Sequence, residues 1–65
     1  MKITYTKEKH QADHDDTYYE FFKDGVKFRE AMDMRYESYD ATITLITLQS
    51  LAEVTEGMTV EQVEL

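Results

Sequence analysis

Tyr18, Tyr19, Phe21 and Phe22 crowd four aromatic rings into the short run from Thr17 to Lys23. Aromatic side chains lose rotamer freedom against a preceding helical turn but pack well on a pleated surface, so residues 17 to 23 are predicted to form a strand. Successive side chains of a strand point to opposite faces. Tyr19 and Phe21 therefore point one way, and Tyr18 and Phe22 the other, together with Glu20. A small sheet covered on one side buries only one of these sets. The other set needs a cover from elsewhere in the chain or from a second subunit, or it is a contact surface.

The chain supplies little to cover it with. Its 65 residues, 42% of them apolar, allow a single domain over residues 1–65 with one small core. A domain of this size buries only about 60% of its unfolded surface, so it is marginal alone and self-association, as a homodimer, is expected. There is no cysteine, hence no disulfide framework, thiolate metal site or thiol nucleophile. Net charge is −7, which repels a phosphate backbone and argues against direct nucleic-acid binding. The charge is uneven: residues 1–39 hold all seven Lys and Arg with nine acids, and residues 40–65 hold five acids and no base. No run of about 18 apolar residues is present and residues 1–10 lack a signal-like apolar segment, so a cytoplasmic protein without a membrane span is expected.

Elsewhere the periodicities are mixed. Ile3 and Tyr5 alternate with Lys2, Thr4 and Thr6, which predicts a half-buried strand over residues 2–7, followed by a solvated loop over residues 8–16. Asp24-Gly25 is a favoured two-residue hairpin turn, since both positions need positive φ. Beyond it two readings compete. Closed as a hairpin, Val26, Phe28, Met32, Met34 and Tyr36 keep an apolar period of two, with Glu30 out of pattern. Capped by Asp24, a short helix over residues 28–37 aligns Phe28, Met32 and Tyr36, and this helix is the preferred reading. Residues 41–49 are rich in Thr and Ile and are predicted to form a strand, although Ala41, Leu45, Leu48 and Ala52 would also share a helical face. Ser50 and Glu53 have capping-box spacing for a short helix that Gly57 would stop. Residues 58–65 fit either a last strand or a further helical turn. Together these predict an α+β domain: a small antiparallel sheet of three or four strands with one or two short helices on one face.

Catalytic chemistry finds no constellation. His10 and His14, four apart beside Asp13, Asp15 and Asp16, have the spacing of two metal ligands on a helix, but the segment lacks helical apolar spacing and a third ligand. A solvated acidic loop with no metal is expected. Carboxylate pairs such as Glu61 and Glu64 arise readily among fourteen acids, and a chain this short has little volume in which to desolvate one. No nucleophile triad, phosphate loop or dinucleotide fingerprint is present, so a non-enzymatic protein without cofactor is expected.

Aromatic rings beside carboxylates suit another role, that of plugging a basic, concave groove. Carboxylates stand where phosphates would lie, and charge steers the encounter while buried rings slow dissociation. The residues in that reading are Glu20, Asp13, Asp15 and Asp16 for charge, with Tyr18, Phe22, Phe28, Met32 and Tyr36 as anchors. The run Tyr18-Tyr19-Glu20-Phe21-Phe22-Lys23-Asp24-Gly25 resembles the central strand of the small acidic uracil-DNA glycosylase inhibitors of certain Bacillus phages. The resemblance covers residues 17–48, with an extra residue at Asp24. It implies a phage protein that forms dimers and blocks the glycosylase's DNA-binding groove, with Glu20 and a helix aromatic pair in contact. Met32 and Tyr36 keep the pair's spacing of four with Met in place of Phe, and Phe28 and Met32 keep it with Tyr replaced. The expected partner is thus a basic DNA-binding host protein, with uracil-DNA glycosylase as the first target. A CRISPR effector nuclease or RNA polymerase could be blocked in the same way. A homodimeric adaptor built on the aromatic sheet is the reading from a different class.

Overall fold

The computed structural model describes residues 1–9 and 16–64, which form one curled five-stranded sheet and one helix. Strands β1 (Lys2–Lys9), β2 (Thr17–Lys23), β3 (Val26–Met34) and the two-residue β4 (Ser38–Tyr39) precede helix α1 (Asp40–Val54) and the last strand, β5 (Thr59–Gln62). Their order across the sheet is β4-β3-β2-β1-β5. All neighbours are antiparallel except β1 and β5, which run parallel. The α+β class is as expected, with one more strand, one parallel pair and a single long helix. No helix among the described residues is long and apolar enough to cross a membrane.

The Asp24-Gly25 turn closes a hairpin. Both residues have positive φ, 49° and 88°, the combination that matches the twist of the flanking strands. Residues 26–34 therefore continue as a strand, and the helix expected over residues 28–37 is absent: Phe28, Met32 and Tyr36 share no helical face. Pairing to the aromatic strand explains the outcome, because β3 satisfies the outer backbone groups of β2 along its length.

Residues 41–49 are corrected in the opposite direction, from strand to helix. Helix α1 runs through the Thr-rich segment, with Ser50 in its interior rather than at a cap. Two threonines fit the helix by turning their hydroxyls inward: Thr44 donates to the Asp40 carbonyl and Thr47 to the Ile43 carbonyl, each at 2.8 Å. Burial decides the rest. Ala41, Leu45 and Leu48 pack on Tyr19 and Phe21, with Tyr5 and Ala31 beside them. Tyr39, the residue before the helix, gives no side-chain cap. Asp33 of β3 does this from a distance, accepting from the Thr42 amide at 2.9 Å and from its hydroxyl. A carboxylate near a helix N-terminus is doubly favoured, as a hydrogen-bond acceptor and as a charge against the helix dipole. Gly57, with φ 82°, sits in the turn after the helix, where the Met58 amide donates to the Thr55 carbonyl at 3.2 Å.

The core that results is small: Ile3, Tyr19, Phe21, Ala41 and Met58 are the buried apolar residues among those described. Phe21 is fully enclosed and central. Phe21→Ala is expected to cost about 3–5 kcal/mol, against a total stability of roughly 3–10 kcal/mol for a domain this size, and so to unfold much of the population at 25 °C. Asp33→Ala should cost only about 1 kcal/mol through the lost cap. Urea unfolding followed by circular dichroism checks both; a Phe21→Ala domain as stable as the parent would mean the core lies elsewhere.

Candidate partner-binding face

Helix α1 lies on the Tyr19 and Phe21 side of the sheet, and no described element covers the other side. Register then dictates what that open face displays, since residues directly opposite on neighbouring strands project together. Tyr18, Glu20 and Phe22 form its middle row. Opposite them on β1 stand Glu8, Thr6 and Thr4, and on β3 stand Met32, Glu30 and Lys27. Glu61 of β5 extends the Thr4 row.

A β-bulge makes this composition. Arg29 pairs with Phe21 and Lys27 with Phe22, which leaves Phe28 without an opposite residue. The extra residue inverts the alternation of everything after it. Lys27 and Glu30, three apart, thereby reach the same face, which a regular strand would forbid. Met32 also faces outward, while Arg29 and Ala31 turn to the helix side, where the Arg29 Nε donates to the Thr44 hydroxyl at 3.2 Å.

The open face carries one connected polar group. Glu20 and Glu30 are directly opposite each other, an arrangement that repels when both are ionised. The Lys27 ammonium sits between them, 3.2 Å from the Glu20 Oε2 and 3.0 Å from the Glu30 Oε2. Tyr18 donates its hydroxyl to the same Glu30 oxygen. One ammonium shared by two carboxylates leaves the pair net negative. The Tyr18 hydroxyl, and after it Lys27, hold the Glu30 carboxyl below its ordinary pKa. The same bonds to Glu30 raise Tyr18 and Lys27. A depressed carboxylate stabilises the fold above the ordinary carboxylate range and loses that contribution as pH falls through its lowered midpoint. The raised ammonium contributes from there upward and is lost only as pH rises through its own raised midpoint. The group is therefore intact through the neutral range.

Of the residues singled out from sequence, Tyr18, Glu20, Phe22 and Met32 come together on this face, each partly exposed. Phe28 is the bulge residue, about half exposed. Tyr36 is elsewhere, at the tip of the turn between β3 and β4, 83% exposed with φ 67° and stacked under Arg35 at 4.8 Å. Asp16 precedes β2, while Asp13, Asp15, His10 and His14 fall outside the described residues. Lys27 and Glu30 were missed as site residues. Their one trace in the sequence is that Glu30 breaks the period of two, which is the mark a bulge leaves. No family model, curated protein or solved structure matches the chain.

NMR titration of the side-chain carboxyls is expected to place the Glu30 midpoint below that of an ordinary glutamate. Tyr18→Phe should raise it toward the ordinary value, because the hydroxyl is its largest stabilising partner. A midpoint unmoved by the substitution would show that the hydroxyl does not hold this carboxylate.

Proposed function

We propose that the protein is a non-enzymatic inhibitor that docks the open face of its sheet into the basic groove of a nucleic-acid-handling host protein and so excludes nucleic acid. One observation carries the reading: Tyr18, Phe22 and Met32 are gathered with Glu20 and Glu30 on a sheet face that no described element covers. Partly exposed rings provide the desolvation energy of a contact, and the surrounding carboxylates provide attraction to a cationic cleft. The mixed surface also explains why the polar group is worth keeping. Exposed ion pairs add little to stability, but Lys27 and Tyr18 fix where the Glu20 and Glu30 charges stand, and positioned charge costs less to bind than mobile charge.

Uracil-DNA glycosylase is the first target to test, on the sequence likeness of the run from Tyr18 to Gly25. The aromatic helix pair that the likeness also implies is replaced by β3, so the contact rests on the sheet face. A uracil-excision assay is expected to show inhibition at near-equimolar protein, with an association rate that falls steeply as salt rises through the physiological range. Phe22→Ala should speed dissociation about 10- to 100-fold, the effect of removing a central ring from an interface. Undiminished activity of the glycosylase, of a CRISPR effector nuclease and of RNA polymerase in the presence of excess protein would overturn the reading.

A further inference from the structure

A second surface is left uncovered by the described residues, on the far side of the sheet. Helix α1 buries Ala41 and packs the partly buried Leu45 and Leu48 against the core, yet its outward side is not polar. Ile43, Thr47, Ser50 and Val54 recur at spacings of four, three and four, which places them on one face, and all four are exposed. Ile46 and Leu51 flank them. Ile43 is 61%, Ile46 54%, Leu51 48% and Val54 82% exposed. A helix apolar on both sides belongs in an interior, not on the outside of a domain with five buried apolar residues among the described ones.

Charge identifies the occupant. Residues 41–52 contain no charged side chain, in a chain that is 32% charged and carries −7. Two copies meeting on the open sheet face would bring Glu8, Glu20, Glu30 and Glu61 against their own images. The free outer edge of β3 is blunted by Lys27, Arg29, Glu30 and the bulge at Phe28, the features that prevent edge-to-edge pairing. The outer face of α1 is where two identical anions can touch without setting carboxylate against carboxylate.

Its shape supports the same conclusion. Read along the helix, the stripe is large, small, small, large: Ile43, Thr47, Ser50, Val54. The pattern is the same in both directions, as a two-fold contact requires. In an antiparallel pair, Ile43 meets Val54 of the second copy, and Thr47 meets Ser50, with small residues at the centre allowing close approach. A 15-residue helix is about 22 Å long and about 10 Å wide, so pairing along it buries on the order of 500 Å² per copy. That is the lower end of specific interfaces, the size of a weak, reversible dimer.

We propose that the outer face of α1 pairs antiparallel with the same face of a second copy of this chain. Because α1 lies on the opposite side of the sheet from Tyr18 and Phe22, the dimer keeps both open sheet faces free. The inference does not depend on the identity, or the existence, of another partner.

Sedimentation velocity from about 5 to about 500 µM protein tests it without any partner present. The mass should move from 7.7 kDa toward twice that value. Raising salt should strengthen the association by screening the mutual repulsion of two −7 chains, the opposite sign to the salt effect expected for a basic partner. Ser50→Glu, at an exposed position, should leave the circular dichroism spectrum unchanged and abolish the dimer, while Phe22→Ala should leave the dimer intact. In the cysteine-free background, an oxidised equal mixture of Ile43→Cys and Val54→Cys chains should give mostly the mixed disulfide. A chain monomeric throughout, a Ser50→Glu variant that associates like the parent, loss of association in Phe22→Ala instead, or a predominance of symmetric disulfides would each overturn the proposal.

Discussion

Alternation along β2 is the constraint on which the rest of the structure depends. Tyr19 and Phe21 must leave the strand on one side, and Tyr18, Glu20 and Phe22 on the other. The described residues build one helix, and one helix covers one face. Tyr19 and Phe21 take it: both are buried, and Tyr5, Tyr19 and Phe21 lie with ring centroids about 6 Å apart beneath α1. The placement of Tyr18 and Phe22 on open sheet is thus a geometric consequence of burying their neighbours. The proposed function uses what the fold could not hide.

The bulge at Phe28 turns that leftover face into a specific surface. Without it, Arg29 rather than Glu30 would stand opposite Glu20, and a plain ion pair would close off the charge. With it, two carboxylates face each other across one ammonium, and Tyr18 is drawn into the group through Glu30. The same shift sends Ala31 under the helix and brings Arg29 to Thr44 and Asp33 to Thr42, so a single extra residue ties α1 to β3 while charging the opposite side. Bulges that re-aim side chains are a recurrent feature of binding sites.

The sequence was legible where side-chain type and turn chemistry agreed. The aromatic run and the division of Tyr18 and Phe22 from Tyr19 and Phe21 follow from local rules and appear in the structure, as does the Asp24-Gly25 hairpin turn, although a helix capped by Asp24 is the reading preferred from sequence there. Where local and tertiary preferences conflict, it misled. Thr44, Ile46 and Thr47 favour a strand one residue at a time, but the stripe Ala41, Leu45, Leu48 fits Tyr19 and Phe21 as a helix, and the buried stripe prevails. Phe28, Met32 and Tyr36 favour a helical stripe, yet backbone pairing to β2 makes residues 26–34 a strand. Nothing in residues 58–65 foretells that β5 pairs parallel to β1, because that depends on where α1 returns the chain. The charged group on the open face was hidden for a related reason: Lys27 and Glu30 meet only through a register shift that local pattern marks by a single break.

The central claim is the asymmetry of the two faces, and hydroxyl-radical footprinting of dilute protein measures it residue by residue. Tyr18, Phe22 and Met32 are expected to oxidise readily while Tyr19 and Phe21 resist until the domain unfolds, and addition of the bound partner should suppress oxidation at the first three alone. Resistance of Tyr18 and Phe22 in the free monomer, or ready oxidation of Tyr19 and Phe21, would contradict the account.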